Sequence, residues 1–417
     1  MLAEKKLKDF TEKSYQKAIT KVNNRIYHFL GYGHSNAIAI IGDHSVILVD
    51  TLDSDQRALR LKEEIKKITD KPVKTIIFTH GHPDHQGGSG AFEETVEEII
   101  AFKPAKTVLK HYNRLNDVLN QRGSYQHGYG LSDEEAICQG IGSREGKEVN
   151  DGKYHFLQPT TLYNESVVER VIDGVKLKLV RAIGETDDQL FVWLEDDKVI
   201  CTGDNYYGCW PATYAIRGTQ YRDIAAWIDT LDLILEYPSD ALLPGHTKPL
   251  IGLEEVKTVI TTFRNAIESI LFQTLDCMNK GYTMSQTVES VKLPDEYAQC
   301  GYLGEYYGTV EWTVKGIYTG YVGWFDGDAS HLLPLSDKEY NLVLLELIGN
   351  NHKVKETITD ALSKEEYQKA LQLISLLETN DNSNELKELK KKALIQRAKQ
   401  MTSANARHYY IAASKEI

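Results

Sequence analysis

The chain has 417 residues, of which 41% are hydrophobic and 26% charged, the balance of a globular protein. At ~100–200 residues per domain, this length predicts two or three domains. Lysine and arginine total 48 and aspartate and glutamate 60, so the formal net charge is −12. This acidity argues against a nucleic-acid partner and against an anionic membrane surface, because both are bound through basic residues.

The cysteine pattern and the N-terminal sequence predict a cytoplasmic protein. There are five cysteines, an odd number, and no two have the CxxC spacing, so we expect neither a disulfide framework nor a cysteine zinc site. The N-terminal sequence has no apolar core of a signal peptide. No run of about 18 apolar residues could span a membrane.

In chain order, an N-terminal amphipathic helix or partly ordered arm is followed by short strands that alternate with helices. A hairpin is predicted from strands at 38–42 and 45–50, then a helix over 53–69 and a strand over 73–78. Further strands are predicted at 175–180, 190–194 and 198–201. This order is typical of a layered α/β domain.

The C-terminal part has a different pattern. From residue 336 onward there are no prolines and few glycines, and helical periodicity repeats, so we predict a domain boundary between 335 and 336. Ser363-Lys-Glu-Glu366 has the form of a capping box and predicts a helix start, and Ser403 predicts the start of the last helix. Residues 297–325 are rich in aromatics, which we assign mainly to core packing.

The motif His80-Gly-His82-Pro-Asp84-His85 carries the most chemical information. It directly follows the strand predicted at 73–78. Imidazole and carboxylate groups are common ligands of divalent zinc and iron. A loop at the end of a strand can direct His80 and His82 to one metal and Asp84 and His85 to another, so the motif predicts a two-metal site.

This motif resembles that of the metallo-β-lactamase superfamily, and the resemblance covers residues 36 to about 250. It implies an α/β fold, the αββα sandwich, with the metals at one edge of two sheets. It also implies two later ligands. Asp204, in Thr-Gly-Asp-Asn, matches the bridging carboxylate, and His246, in Pro-Gly-His-Thr, matches the final histidine.

A carboxylate in place of one histidine points to a particular branch. Many members of the superfamily have a Gly-His-Thr turn where this chain has Gly184-Glu185-Thr186. Glutamate there is the mark of the alkyl sulfatases, and that resemblance spans nearly the whole chain. It implies that Arg217 binds the substrate's sulfate, with Arg222 as a second candidate. It also implies that the helices of 336–417 form a dimerisation domain, and hence a homodimer.

The resemblance implies a ligand set for two divalent metal ions, with zinc expected and iron or manganese also suited to the set. His80, His82 and Glu185 are assigned to the first ion, and Asp84 and Asp204 are the predicted catalytic carboxylates. The full predicted set of metal ligands is His80, His82, Asp84, His85, Glu185, Asp204 and His246, with Asp204 bridging.

The residues predicted to contact substrate depart partly from the family pattern. Besides Arg217, they include Tyr307, in the landmark Tyr-Gly-Thr-Val. His127 stands where the family has a tyrosine that contacts sulfate, and Trp312 stands where it has a histidine proposed to assist catalysis. Ala212 replaces an asparagine. The metal ligands are therefore retained while part of the sulfate pocket is altered.

We predict hydrolysis of a sulfate monoester to alcohol and sulfate by a metal-activated water. Three ligand carboxylates, two divalent ions and Arg217 sum to a local charge of about +2, which suits a small anionic ester. The altered pocket leaves open a metal-dependent hydrolase of a lactone, thioester, carboxylic ester or phosphoester. A non-catalytic binding protein on the same scaffold is the alternative outside enzymes.

Overall fold

The computed structural model of the protein describes residues 2–105 and 109–417. Two β-sheets pack face to face, and helices cover the outer face of each. The first sheet and its helices comprise α1 (Leu2–Ser14), β1 (Ala18–Lys21), β2 (Ile26–Leu30), β3 (Ala37–Ile41), β4 (Val46–Val49), α2 (Asp55–Ile68), β5 (Val73–Ile77), α3 (Pro83–Gln86), β6 (Glu98–Phe102), α4 (Asn116–His127), α5 (Asp133–Ala136) and β7 (Thr161–Tyr163).

The seven strands of the first sheet pair in sequence order. β1 to β4 are antiparallel neighbours, whereas β4 to β7 are parallel neighbours. A parallel pair needs a crossover, and α2 supplies it between β4 and β5. Side chains of β4 alternate, with Ile47 and Val49 in the core between the sheets and Val46 and Leu48 under α2. The hairpin, helix and strand predicted over 38–78 are confirmed.

The second sheet has the strand order β13-β12-β11-β10-β9-β8. Its neighbours are antiparallel except β11 and β12, which are parallel and are joined through α6. The carboxyl ends of β11 and β12 therefore meet at one edge. The second sheet and its helices comprise β8 (Val167–Ile172), β9 (Val175–Arg181), β10 (Leu190–Leu194), β11 (Val199–Gly203), α6 (Ile224–Leu235), β12 (Ala241–Pro244), β13 (Leu250–Ile251) and α7 (Leu253–Asn279).

The core has three apolar layers that follow from this arrangement. The inner faces of the two sheets share one layer, α2 packs on the outer face of the first sheet, and α6 and α7 pack on the outer face of the second. The predicted αββα sandwich is confirmed. Among the described residues no helix is both long enough and apolar enough to cross a membrane, and all five cysteines are free.

The C-terminal region is entirely helical in its regular elements, as predicted. α11 to α14 share a core that includes Leu345, Ile358 and Ile374. The last helix packs against α14 and also on α4 and α5, where the Arg407 Nε donates to the Glu135 carbonyl at 2.7 Å. The helices are α8 (Met284–Ser290), α9 (Asp295–Ala298), α10 (Val310–Val322), α11 (Asp337–Ile348), α12 (Asn351–Ser363), α13 (Tyr367–Leu377), α14 (Asn384–Lys399) and α15 (Ala404–Ser414).

One predicted helix start is wrong. Ser363 is the last residue of α12, and its hydroxyl donates back to the Asp360 carbonyl at 2.7 Å instead of capping α13. Glu366 precedes α13 without a side-chain capping bond. Ser403 does cap α15, as predicted, by accepting from the Ala406 amide. The hydroxyl of Ser363 satisfies a carbonyl at a helix end as readily as a hydroxyl satisfies an amide at a helix start.

A buried histidine in the first sheet should make stability depend on pH. His28 on β2 is fully buried, and burial lowers its pKa to about 4 against the opposing effect of the Pro244 carbonyl. An unfolded histidine has a pKa of about 6.5, so below that pH the unfolded chain binds a proton that the folded chain does not. This contribution to stability is therefore lost as the pH falls from about 6.5 to about 4.

We expect His28→Leu to remove this pH dependence. The free energy of unfolding of the variant minus that of the wild type should rise by about 2 kcal/mol between pH 7.5 and pH 5. Urea unfolding at the two pH values measures it. His352→Leu is the control, because the His352 side chain is 74% exposed. A difference that does not change with pH would contradict the assignment.

Candidate metal centre

All seven predicted metal ligands lie at one edge of the sandwich. The loop after β5 carries His80, His82, Asp84 and His85, and the loop between β9 and β10 carries Glu185. Asp204 follows β11 and His246 follows β12, so the parallel pairing of these two strands brings both residues to the same edge. We call these seven residues the ligand cluster.

One half of the ligand cluster surrounds His80. Its Nε2 lies 2.9 Å from Nδ1 of His82 and 3.7 Å from Oδ2 of Asp204. The same His82 nitrogen lies 3.5 Å from Oε2 of Glu185. Burial and neighbouring positive charge lower the pKa of both histidines, so each presents a neutral nitrogen that can bind a cation.

The other half surrounds His85 and His246. Nε2 of His85 lies 3.3 Å from Oδ1 of Asp204 and 3.4 Å from Oδ2 of Asp84. Nε2 of His246 lies 3.3 Å from Oδ2 of Asp84 and 3.4 Å from Oδ2 of Asp204. Asp204 therefore belongs to both halves. Its Oδ1 lies near His85, and its Oδ2 lies near His80 and His246.

These spacings fit divalent metal ions. Ligand atoms about 2.0–2.1 Å from a tetrahedral ion lie about 3.4 Å from one another. Most of the measured separations are close to that value. In addition, Oδ1 of Asp204 is buried without a hydrogen bond, which a cation would compensate. The nitrogen and carboxylate donor set suits zinc and also iron or manganese.

The electrostatics of the cluster also call for positive charge. Burial favours neutral histidines, yet the Asp204 and Asp84 carboxylates raise the pKa of His246 to about 9 and that of His85 well above its usual value. Burial would raise the pKa of Asp84 and Asp204, but the neighbouring histidines hold both well below the usual range. Without a metal, protons bound to His85 and His246 balance the negative charge of the two carboxylates.

Neighbouring groups orient the ligand histidines. Nδ1 of His85 lies 2.6 Å from Oδ2 of Asp50, which also accepts the Thr79 hydroxyl at 2.8 Å. Nδ1 of His246 lies 3.0 Å from the His34 carbonyl. Each contact turns the Nε2 atom of its histidine toward the centre. Asp50 and His34 were missed from the sequence, because neither lies in the motif.

Glu185 is fixed from two sides. The Tyr207 hydroxyl donates to Oε1 at 2.6 Å, and the Arg222 guanidinium lies 3.0 Å from Oε2. Arg222 also donates to the Ala212 carbonyl. The guanidinium that we considered as a second sulfate ligand therefore contacts a predicted metal ligand, and it offsets the negative charge that glutamate brings in place of histidine.

Gly245 is required by the close approach of the two loops. A Cβ atom at this position would lie 2.4 Å from Oδ1 of Asp204 and 2.8 Å from Cε1 of His85. Any other residue would push the His246 loop away from the end of β11. The glycine of Pro-Gly-His therefore allows the second half of the cluster to close.

Two family models match the chain in the regions that this geometry singles out. The metallo-beta-lactamase superfamily matches residues 30–246, and alkyl sulfatase dimerisation matches residues 283–417. The chain belongs to the alkyl sulfatase branch of the metallo-beta-lactamase superfamily. The first match ends at the last predicted ligand, His246. The second begins before residue 336, and the domain boundary at 335/336 stays a prediction.

The sequence relatives carry the same branch name. A linear primary-alkylsulfatase of Pseudomonas is 33% identical over 89% of this chain and 72% of its own length. An alkyl/aryl-sulfatase of Saccharomyces cerevisiae is 28% identical over 95% of this chain and 63% of its own length. Both relatives are thus longer than the region they share with this chain.

A solved structure agrees in fold. The stereoselective inverting sec-alkylsulfatase of Pseudomonas superposes with a TM-score of 0.86 at 23% identity, covering 99% of this chain and 67% of the other. The agreement extends through the C-terminal helices as well as the sandwich. It supports the architecture of the whole chain.

A cavity of about 400 Å³, which we call the reaction cavity, opens beside the ligand cluster. Arg217, His127 and Tyr307 line it, together with the ligands His82 and Asp84. Three of the four predicted substrate contacts therefore face one space. Burial and the charge of Arg217 lower the pKa of His127 to about 3, so its ring is neutral.

Trp312 is the predicted contact that the structure does not bring to this cavity. It lies in the first turn of α10, half-buried, and is not among the described residues that line the reaction cavity. Ala212 is buried, and its backbone amide donates a hydrogen bond to the Tyr207 hydroxyl oxygen at 2.8 Å. The role of Trp312 as a substrate contact therefore stays a prediction from the resemblance, without support from the lining of the cavity.

We expect Asp50→Asn to weaken metal binding by about 10- to 100-fold, because a neutral amide no longer fixes the His85 ring through a charged hydrogen bond. Chelator competition with zinc, together with metal analysis of the purified protein, measures this. Asp70→Asn is the control, since Asp70 is exposed after α2. Equal zinc affinity in Asp50→Asn and wild type would show that Asp50 does not support the centre.

Proposed function

We propose that the chain hydrolyses a sulfate monoester to an alcohol and inorganic sulfate. The observation that carries the proposal is the arrangement of Arg217 on the wall of the reaction cavity, facing the space beside His82 and Asp84. The relatives named alkylsulfatases support the same chemistry. We propose two divalent ions per chain, with zinc as the expected metal.

The division of work among the residues follows from their contacts. When bound, the ions would supply positive charge and a water of lowered pKa. Arg217 binds the sulfate through paired charged hydrogen bonds, which a planar guanidinium can make with two sulfate oxygens. Its backbone is held in place because the Arg217 amide donates to Oε1 of Gln126 at 2.8 Å. Asp204 and Asp84 would hold divalent ions at the edge of the cavity, and the charge of those ions would then lie beside the ester.

Arg222 contributes differently from Arg217. Its side chain is buried and lies 3.0 Å from Glu185, so much of its charge serves that carboxylate. Arg217 is only partly buried, and among the described residues its guanidinium makes one weak hydrogen bond, to the Gly218 carbonyl at 3.5 Å. Arg217 is therefore the guanidinium available to an anionic ester.

We expect Arg217→Ala to lower kcat/KM for hexyl sulfate by about 100-fold or more, because two charge-assisted hydrogen bonds to the sulfate are lost. Sulfate release by zinc-loaded protein, followed by ion chromatography, measures it. Arg264→Ala is the matched control, since Arg264 pairs with Asp232 on the outer helices. Hydrolysis of a lactone or phosphodiester without sulfate release would contradict the proposal.

We also propose a homodimer formed through the C-terminal region. Residues 321–348 expose many large apolar side chains, with Trp324 71%, Leu333 91% and Leu347 79% exposed. This segment lies inside the region that matches the alkyl sulfatase dimerisation family. An apolar surface of this kind on a monomer is unusual and is typical of an interface.

The double variant Leu333→Glu, Leu347→Glu should be monomeric, because charges would be buried unpaired in the interface. Light scattering with size-exclusion chromatography measures the mass. Val171→Glu is the control, since Val171 is 67% exposed on β8, outside the segment. A double variant with the mass of the wild-type dimer would refute this surface.

A further inference from the structure

The far wall of the reaction cavity is polar. Asn120, Ser124, Tyr129, Glu145 and Lys147 belong to this wall, and none of them is a predicted metal ligand. The aliphatic side chains among the described residues that line the cavity are Pro83, Leu119, Ile141 and Ala215. A long alkyl chain in the cavity would therefore lie against several polar groups and remove them from water.

Glu145 is held in one orientation on this wall. The hydroxyls of Tyr129 and Tyr154 both donate to its Oε2, each at 2.5 Å. Burial and the Glu145 charge raise the pKa of both tyrosines, so both hydroxyls keep their protons. The Lys147 ammonium lies 5.6 Å from the Tyr129 ring and 5.2 Å from the Tyr154 ring. The other carboxylate oxygen, Oε1, faces His127.

His127 and Glu145 face each other without a direct bond. Nδ1 of His127 is buried and has no hydrogen-bond partner in the part of the chain that the structure describes, and it lies 4.0 Å from Oε1 of Glu145. A direct hydrogen bond would need about 3 Å. One oxygen atom placed to the side can lie about 2.8 Å from both atoms at once. We call this gap the hydroxyl notch.

The neighbouring amide sets the direction of the hydrogen bonds in the notch. Oε1 of Gln126 accepts a hydrogen bond from the Arg217 amide. The other end of the Gln126 side chain, Nε2, therefore faces Nε2 of His127, at 3.5 Å. That contact assigns the proton of the neutral imidazole to Nδ1. A hydroxyl in the notch would therefore accept from His127 and donate to Glu145.

We propose that the reaction cavity takes the sulfate ester of a short hydroxylated alcohol, one hydroxyl of which binds between His127 and Glu145. This inference rests on the proposed sulfatase function and specifies its substrate class. The sulfate binds at Arg217, and the hydroxyl lies on the polar side of the same cavity. The two ends of a small diol monosulfate would thus each meet a charged partner.

The test compares matched esters with the zinc-loaded full chain. Sulfate release from propyl sulfate, 2-hydroxypropyl sulfate and glycerol monosulfate is measured by ion chromatography, along with butyl, hexyl and octyl sulfate. We expect kcat/KM for the hydroxylated esters to exceed that for propyl sulfate by about tenfold or more, the discrimination given by a hydrogen bond to a charged group. We expect little gain from longer alkyl chains.

Two variants locate the effect. In Glu145→Gln and in His127→Phe the ratio of hydroxylated to propyl ester should fall to about one, whatever the absolute rates. Glu148→Gln is the matched control, because Glu148 lies in the same segment and contacts the Gly130 amide away from the cavity. It should keep the wild-type ratio. Thermal unfolding of each variant checks that it is folded.

Two results would overturn the inference. One is an equal kcat/KM for propyl and 2-hydroxypropyl sulfate in the wild type, which would mean that the notch holds only water. The other is a rise of about fourfold per added methylene from butyl to octyl sulfate, as apolar burial would produce. Release of sulfate from none of these esters would instead contradict the proposed function itself.

Discussion

The structure depends on holding three carboxylates and four histidines within a few ångströms of one another. Oxygens of Asp84 and Asp204 both lie within 3.4 Å of the same nitrogen of His85 and of His246. Buried like charges at such distances repel strongly, and only a compensating positive charge makes the arrangement favourable. The rest of the sandwich keeps these side chains in place until metal ions supply that charge.

Rigid supports meet this requirement. The parallel pairing of β11 and β12 fixes the ends that carry Asp204 and His246 side by side, and Gly245 lets these two loops touch. The motif follows β5, which pairs in parallel with β4 in the other sheet. Asp50 and the His34 carbonyl then set the rings of His85 and His246. Backbone geometry and hydrogen bonds to buried atoms thus offset the free-energy cost of placing these charged side chains close together.

Local patterns predicted the contiguous parts of this design. The motif from His80 to His85 lies within six residues, and the strand before it has an obvious apolar run, so the ligands and their position at a strand end follow from the sequence. Glu185, Asp204 and His246 were assigned only through resemblance, because they are far apart in sequence. Their convergence on one edge depends on strand pairing that no local pattern shows.

The partners of the ligands were beyond sequence reasoning for the same reason. Asp50 and His85 are 35 residues apart, and Arg222 reaches Glu185 across a loop whose course depends on the whole second sheet. From the sequence, Arg222 was the second candidate for the sulfate after Arg217. The structure separates the two arginines by burial, and burial is a property of packing. Ser363 shows the same limit on a smaller scale, since the residues after it permit either a helix start or a helix end.

The last of the C-terminal helices bears on the shape of the site. His408 on α15 is fully buried, with its two ring nitrogens 2.9 and 3.0 Å from the carbonyls of Gln126 and Ala136. Its ring lies so close to Gly128, which ends α4 at φ 74°, that a Cβ atom there would be 2.9 Å away. Gln126 in turn holds the Arg217 amide. The last helix therefore fixes the end of α4, from which His127 and the support of Arg217 both come, so the shape of the reaction cavity depends on α15.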